Sequence, residues 1–202
     1  MLPGKPIDRY NVHSMNTEQS VADTTFTAFD FETTGLQVGL DRIIEIGAVR
    51  FRGSEILGEV EMLVNPERDI PEDAAAVSGI RDEMVHGKPV IAEVLADFME
   101  ICEGAILVAH NAQFDLGFLR AALQETGLPE VSNRVIDTQV LAQRAFPRLR
   151  SYSLQALVEM LEIPANNAHR ARDDAFMCMK VFQACAQQLS FMGEVSLAEV
   201  LT

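Results

Sequence analysis

Residues 25–32 read TFTAFDFE, and this stretch decides which kind of fold the chain can form. Phe29 and Phe31 alternate with Asp30 and Glu32 along it, which is the pattern of a β-strand. Asp30 and Glu32 therefore lie on one face of the predicted strand, and Phe29 and Phe31 on the other. A carboxylate pair near a core is unfavourable unless a cation neutralises it. A solvated strand face would also carry this pair, so the stretch alone leaves both interpretations open.

Two further strands follow closely. Residues 42–51 (RIIEIGAVRF) and 58–64 (GEVEMLV) have strand composition, and Gly53 lies in the turn between them. We therefore expect the first three strands to form an antiparallel meander.

Helices alternate with short buried strands in the rest of the chain. Residues 105–109 (AILVA) are wholly apolar, as in a strand covered on both faces, and residues 135–137 form a last short strand. Helical patterns cover residues 90–102, 114–125, 139–146, 154–161 and 172–189. This order predicts an α/β domain around a mixed five-stranded sheet flanked by helices.

Length and composition indicate one globular domain. The chain has 202 residues, of which 48% are hydrophobic and 23% charged. We expect a domain over residues 25–189, a disordered tail over residues 1–24 and a short tail over residues 190–202. Neither a membrane-spanning stretch nor a signal peptide is visible, so the expected location is the cytoplasm, without a membrane partner.

A second group of polar residues, HNAQFD at positions 110–115, directly follows the apolar strand AILVA. Asn111 can cap the next helix, and Asp115 falls in its first turn, where an acid often only complements the helix dipole. His110 alone indicates no more than a hydrogen-bonded histidine.

The third group is HRARDD at positions 169–174. Residues five apart on an α-helix are rotated by about 140° from each other. His169 and Asp174 can therefore converge only if His169 lies on a loop before the helix and Asp174 projects from its first turn. Asp173 is the competing carboxylate.

Taken together, DFETTGL at positions 30–36, HNAQFD and HRARDD resemble the three motifs of the DEDD exonuclease superfamily. The spacing His-x-Ala-x-x-Asp resembles its DEDDh subgroup and selects Asp174 over Asp173. The superfamily includes the epsilon proofreading subunit of bacterial DNA polymerase III, ribonuclease T and oligoribonuclease. The resemblance extends over residues 25–189, most closely to the epsilon subunits.

This resemblance implies a ribonuclease H-like fold and a 3′–5′ exonuclease that releases nucleoside 5′-monophosphates, mainly from single-stranded DNA. Two Mg²⁺ or Mn²⁺ ions would be held by Asp30, Glu32, Asp115 and Asp174, with His169 as general base. Oxygen ligands without cysteine suit these ions better than zinc. The terminal nucleotide would be bound by the following residues: Thr33, Gly35, Leu36, His110, Asn111 and Phe114. For Leu36 and Phe114, core packing is an equal alternative.

The net charge of −14 predicts that the protein contacts only a short stretch of its substrate, because proteins that bind long nucleic acids are usually basic. Bound cations can supply the positive field locally, so we expect a small footprint at a single-stranded or frayed 3′ end.

Several alternatives remain open in the sequence. The same site would serve an RNA 3′-end trimmer or a short-oligonucleotide exoribonuclease, and an inert nucleic-acid-binding scaffold would keep the fold but lose a ligand. A DNA polymerase partner and a homodimer are both compatible with the sequence. Only about 13 residues follow the last predicted helix, which favours a stand-alone enzyme.

Overall fold

The computed structural model describes residues 19–164, 169–190 and 195–201. Five strands form one mixed sheet in the order β3-β2-β1-β4-β5. Their bounds are β1 Thr25–Thr33, β2 Ile43–Arg52, β3 Glu55–Leu63, β4 Ile106–Ala109 and β5 Val135–Asp137. The first three are antiparallel, and β4 and β5 run parallel to β1. The predicted sheet and its antiparallel meander are confirmed.

Helices cover both faces of this sheet. Their bounds are α1 Glu72–Ser78, α2 Asp82–Val85, α3 Ile91–Cys102, α4 Gln113–Thr126, α5 Thr138–Ala145, α6 Leu154–Met160, α7 Ala171–Leu189 and α8 Leu197–Val200. The sequence did not predict α1, α2 and α8, because α1 and α2 bury only one residue each and α8 has only four residues, so none of them shows a regular apolar stripe. None of the described helices combines the length and apolar character needed to cross a bilayer.

Alternation along β1 divides the core into two layers. Phe26 and Ala28 face α7, where the Phe26 and Phe182 rings lie 4.7 Å apart. Phe29 and Phe31 point to the other layer and pack on Phe98 of α3. Because side chains two residues apart share a face, β1 directs Asp30 and Glu32 toward the layer that contains α7.

The described parts of the two predicted tails, within residues 19–24 and 195–201, pack against the domain, and the predicted domain bounds stay a prediction. Ser20 pairs with Ser196 in an antiparallel bridge, and the Val21 amide donates to the Val195 carbonyl at 2.8 Å. Leu197 and Val200 are buried in the core layer around α7, which explains why this apolar segment does not stay in solvent. Residues 1–18, 191–194 and 202 lie outside the described part of the chain.

Candidate active site

Strand β1 carries two carboxylates near its carboxyl end, and this end of the strand is where the candidate site lies. Asp30 and Glu32 are partly buried and lie opposite Gly47 and Glu45 of β2. Phe31, between them, donates its backbone N–H to Oδ1 of Asp115 at 3.0 Å. Asp115 stands in the first turn of α4 and is only 3% exposed. This hydrogen bond therefore places the third carboxylate beside the first two.

The fourth carboxylate and the histidine lie at the start of helix α7. Asp174 lies in the first turn of α7, is 6% exposed, and accepts the His169 backbone N–H at 2.8 Å through Oδ2. His169 precedes the helix with a left-handed φ of 63° and an exposed side chain. Its predicted position on a loop ahead of the helix is confirmed.

Three of these residues converge closely enough to share an ion. One ligand atom each from Glu32, His169 and Asp174 lies within 4.8 Å of the other two. Within residues 19–164, 169–190 and 195–201, no arginine or lysine forms an ion pair with Asp30, Glu32, Asp115 or Asp174. The group therefore concentrates negative charge without a neutralising side chain.

This concentration changes the protonation of the carboxyls. Burial, followed by the charges of Asp174 and Glu45, raises the pKa of Glu32 to about 7. Burial also raises the pKa of Asp115 to about 7, although the Phe31 amide opposes the rise. For Asp30 the pKa lies well above its ordinary value, through burial and then repulsion from Asp115 and Asp174. Burial raises the pKa of Asp174 as well. With a pKa near 7, Glu32 and Asp115 would each be fully ionised at neutral pH only with a cation beside them.

The start of α7 is fixed to the sheet by an interaction that sequence reasoning missed. Glu45 of β2 is fully buried, and its carboxylate accepts from Nε and Nη2 of Arg170 and from the Ala171 backbone N–H. Arg170 also pairs with Glu61 of β3 at 3.0 Å. The missed signal is one glutamate inside the apolar strand RIIEIGAVRF, which needs a partner if that strand is buried.

Gly47 lets the same helix approach closely. A Cβ at this position would lie 2.0 Å from the Ala171 carbonyl carbon, so only glycine fits there. Glycine at this contact and the Glu45–Arg170 pair together fix Arg170, the residue that follows His169.

The turn after β4 is fixed by Asp137, a second residue without a predicted role. Its carboxylate accepts the backbone N–H groups of Asn111 and Ala112 at 3.1 and 3.0 Å, and caps α5 through Gln139. Asn111 is exposed and has a left-handed φ of 58°. An aspartate directly before a helix is a recognisable cap signal, but its contact with residues 111 and 112 is not local in sequence.

The remaining predicted contact residues divide into two groups. Leu36 is 82% exposed on the loop after β1, where the Thr33 hydroxyl donates to the Gly35 carbonyl. Phe114 is partly exposed and stacks against Phe118. His110 differs, because Nε2 donates to the Tyr152 carbonyl and Nδ1 pairs with the Thr138 hydroxyl, both at 2.9 Å. Burial lowers the pKa of His110, which favours the neutral ring. Neither ring nitrogen of His110 is left for a substrate.

The exonuclease family model RNase_T matches residues 27–182, and the chain belongs to this family. Over 159 residues it is 45% identical to the DNA polymerase III subunit epsilon of Treponema pallidum, covering 78% of this chain and 74% of that one. It is 38% identical over 189 residues to the PolC-type DNA polymerase III of Thermotoga maritima, of which it spans only 14%. The predicted relationship is confirmed.

Solved structures of DEDD exonucleases share the fold. Exonuclease X, in complex with 5′ overhanging duplex DNA, aligns with a TM-score of 0.67 at 28% identity, over 88% of this chain and 99% of that one. Exonuclease I aligns with a TM-score of 0.73 over 82% of this chain and 41% of that one. Its 20% identity supports the fold alone.

Proposed function

We propose that this protein is a DEDDh-type 3′–5′ exonuclease that releases nucleoside 5′-monophosphates from single-stranded or frayed DNA 3′ ends with two divalent cations. The observation that carries the proposal is the meeting of Asp30, Glu32, Asp115 and Asp174 with His169 at one edge of the sheet. Family membership and the resemblance to exonuclease X support the same reaction class.

The donor set fits divalent cations. Asp30, Glu32, Asp115 and Asp174 offer hard oxygen atoms, and burial, followed by neighbouring negative charges, raises the pKa of each carboxyl. Such a cluster is stabilised when cations replace the missing positive side chains. Mg²⁺ or Mn²⁺ would be held by these four residues. When bound, two such ions polarise the phosphate, assist ionisation of the attacking water and stabilise the leaving alkoxide.

His169 is assigned the proton transfer. Asp174 accepts its backbone N–H, and the next residue, Arg170, is held by its ion pair with Glu45. The side chain of His169 is exposed and remains free to approach the reacting phosphate. In the proposed reaction it accepts a proton from the attacking water, whose oxygen bonds to phosphorus. The bond between phosphorus and the 3′ oxygen of the preceding nucleotide breaks, and that oxygen takes a proton from solvent to become the new 3′ hydroxyl.

The terminal nucleotide is assigned to the two loops beside the carboxylates. Thr33 is the last residue of β1, and Gly35 and Leu36 lie on the loop that follows it. Asn111 lies on the turn after β4, and Phe114 lies in the first turn of α4. Leu36 and Phe114 present apolar surface to a base, and Asn111 presents an amide. We assign His110 to positioning the adjacent loops, because both of its ring nitrogens are occupied within the protein.

We further propose that the protein acts beside a DNA polymerase, because the named relatives are a DNA polymerase III subunit and a PolC-type polymerase. Co-purification with a polymerase would support this assignment. Isolation of the chain alone or as a homodimer, under conditions that preserve polymerase complexes, would contradict it.

A substrate panel tests the function directly. Oligonucleotides labelled at either end, as single-stranded, duplex and mismatched DNA and as RNA, are digested with Mg²⁺ or Mn²⁺ and with EDTA. We expect stepwise shortening from the 3′ end, 5′-monophosphate products, the fastest rate on single-stranded DNA and no reaction in EDTA. A faster rate on RNA would favour the exoribonuclease alternative, since discrimination depends on the 2′-hydroxyl. Shortening from the 5′ end, or undiminished activity in EDTA, would contradict the proposal.

A further inference from the structure

The loop between α5 and α6 carries exposed positive charge in a strongly acidic protein. Residues 138–158 contain three arginines and no aspartate or glutamate, while the whole chain has 30 acidic residues against 16 basic ones. Arg148 and Arg150 are exposed. Among the described residues, neither of them forms an ion pair. This loop is therefore a local basic surface on a chain that otherwise repels polyanions.

The loop is built to keep a fixed shape. The Tyr152 hydroxyl donates to the Phe146 carbonyl at 2.9 Å and accepts the Leu149 backbone N–H at 3.2 Å, which closes the loop on itself. Arg148 has a left-handed φ of 74°, a conformation that glycine adopts more readily than arginine. The arginine is thus held in place by the surrounding loop rather than by its own backbone preference.

The same loop is joined to the candidate active site. The Tyr152 carbonyl accepts from His110, and His110 directly precedes Asn111 on the turn after β4. Gln139, at the start of α5, donates to the same carbonyl at 3.4 Å. Arg150 is two residues from Tyr152, so its Cα lies within about 7 Å of the Tyr152 Cα. Its guanidinium can therefore reach solvent beside the loops assigned to the terminal nucleotide.

We propose that Arg148 and Arg150 bind the phosphodiester backbone of a single strand, upstream of the nucleotide in the active site. This proposal rests on the proposed function and extends it from the terminal nucleotide to the strand behind it. Guanidinium groups bind phosphate oxygens without reading bases, so the contact is independent of sequence. His110 is then the residue that fixes this loop relative to the active site.

Direct binding tests the inference without requiring hydrolysis. The anisotropy of a dye-labelled single-stranded DNA of roughly 20 nucleotides is measured in EDTA against KCl concentration. Arg148→Ala/Arg150→Ala should weaken binding at low salt on the order of 10-fold. It should also reduce the slope of log K against log salt by about 1.4, at 0.7 for each lost phosphate contact. Arg148→Lys/Arg150→Lys keeps the charges and should keep the slope.

The matched control removes the same charge elsewhere. Arg52 and Arg134 are exposed, and both lie at the opposite edge of the sheet, beside the first residues of β1 and β5. Arg52→Ala/Arg134→Ala should leave affinity and slope unchanged. An equal loss in both double variants, an unchanged slope in Arg148→Ala/Arg150→Ala, or no binding by the wild-type protein at low salt would overturn the inference.

Turnover distinguishes this inference from the proposed function. The 4-nitrophenyl ester of thymidine 5′-monophosphate offers the scissile bond but no upstream strand. The Arg148→Ala/Arg150→Ala variant should hydrolyse this ester at the wild-type rate. On single-stranded DNA, the KM of the variant should rise and its kcat should stay unchanged. Equal losses on both substrates would overturn the inference. A wild-type protein that binds DNA through this loop but hydrolyses neither substrate would contradict the proposed function alone.

Discussion

The residues of the candidate site differ in what holds each of them. Asp115 is fixed by the Phe31 amide and Asp174 by the His169 amide, whereas Asp30 and Glu32 are positioned by the pleat of β1. His169 has its backbone fixed and its side chain exposed. Fixed carboxylates beside an exposed base suit a reaction in which the base must meet a substrate that arrives from solvent.

The role of His169 predicts a selective kinetic loss. His169→Gln should reduce kcat on single-stranded DNA by about 10²–10⁴-fold, the usual contribution of a general base, with little change in KM. His86 is exposed at the end of α2, so His86→Gln is the matched control and should leave kcat unchanged. Steady-state rates at saturating substrate measure the difference, and an unchanged kcat in His169→Gln would contradict the assigned role.

At the residue scale, the sequence predicted the set of acids but not all of their partners. Asp30, Glu32, Asp115, Asp174 and His169 were implied as a set by the resemblance of the three motifs, because local periodicity alone left the role of each residue open. Glu45 and Asp137 did not emerge, since their partners lie 125 and 26 residues away along the chain. His110 was expected to contact substrate, and its actual contact with Tyr152 depends on a loop 42 residues distant.

The elements of the site are joined mainly where α7 meets β2 and β3. Glu45 accepts from Arg170 and Ala171, and the absence of a Cβ at Gly47 lets the helix backbone approach. Arg172 of α7 also pairs with Glu59 of β3 at 2.7 Å. These contacts fix the start of α7, and with it Asp174 and the residue after His169, against the sheet that carries Asp30 and Glu32.

Glu45 and Glu61 both pair with Arg170, so changing each of them in turn tests how burial affects the contribution of this junction to stability. Glu45 is fully buried and Glu61 has half of its side chain exposed. Glu45→Gln should lower the free energy of unfolding by about 2–3 kcal/mol, less than a fully buried pair because Arg170 is partly exposed. Glu61→Gln should lower it by less than about 1 kcal/mol. Urea unfolding measures both, and equal effects would contradict the assigned role of burial.

At the element scale, segments with a regular apolar pattern were predictable, and segments without one were not. The strands and the helices α3 to α7 agree with the sequence pattern to within a few residues, because each buries a regular apolar face. Helix α8 begins with a capping box formed by Ser196 and Glu199, whereas α1 and α2 have no side-chain cap at their N-termini and bury one residue each. Local sequence periodicity therefore does not predict these three helices.

The molecule as a whole carries a net charge of −14, and four of its acidic residues lie together in the candidate active site. Burial and mutual repulsion raise the pKa of Glu32 and Asp115 to about 7, from ordinary values near 4. The folded protein therefore keeps protons that the unfolded chain releases between about pH 4 and 7. Without metal, these groups make the folded state progressively less stable as pH rises through that range, and the loss is complete above it.

Divalent cations should reverse this loss, so their effect on stability should depend on pH. The gain in Tm on adding Mn²⁺ or Mg²⁺ should be on the order of 5 °C or more at pH 8 and much smaller at pH 5. Glu32→Gln and Asp115→Asn should each flatten this dependence, and NaCl at equal ionic strength should not reproduce the gain. Calorimetry measures it, and a gain independent of pH would contradict a metal-binding role for these carboxyls.

The central claim is that Asp174 belongs to the catalytic group while Asp173, its neighbour in sequence, does not. Asp173 pairs with Arg172, whereas Asp174 lies within 4.8 Å of Glu32 and His169 through its ligand atoms. The decisive measurement is the rate of 5′-mononucleotide release from single-stranded DNA with Mn²⁺ by Asp174→Asn and Asp173→Asn. The account predicts that Asp174→Asn loses activity by at least about 10³-fold while Asp173→Asn keeps activity near wild type. Retained activity in Asp174→Asn, in a preparation that unfolds like wild type in EDTA, would contradict it.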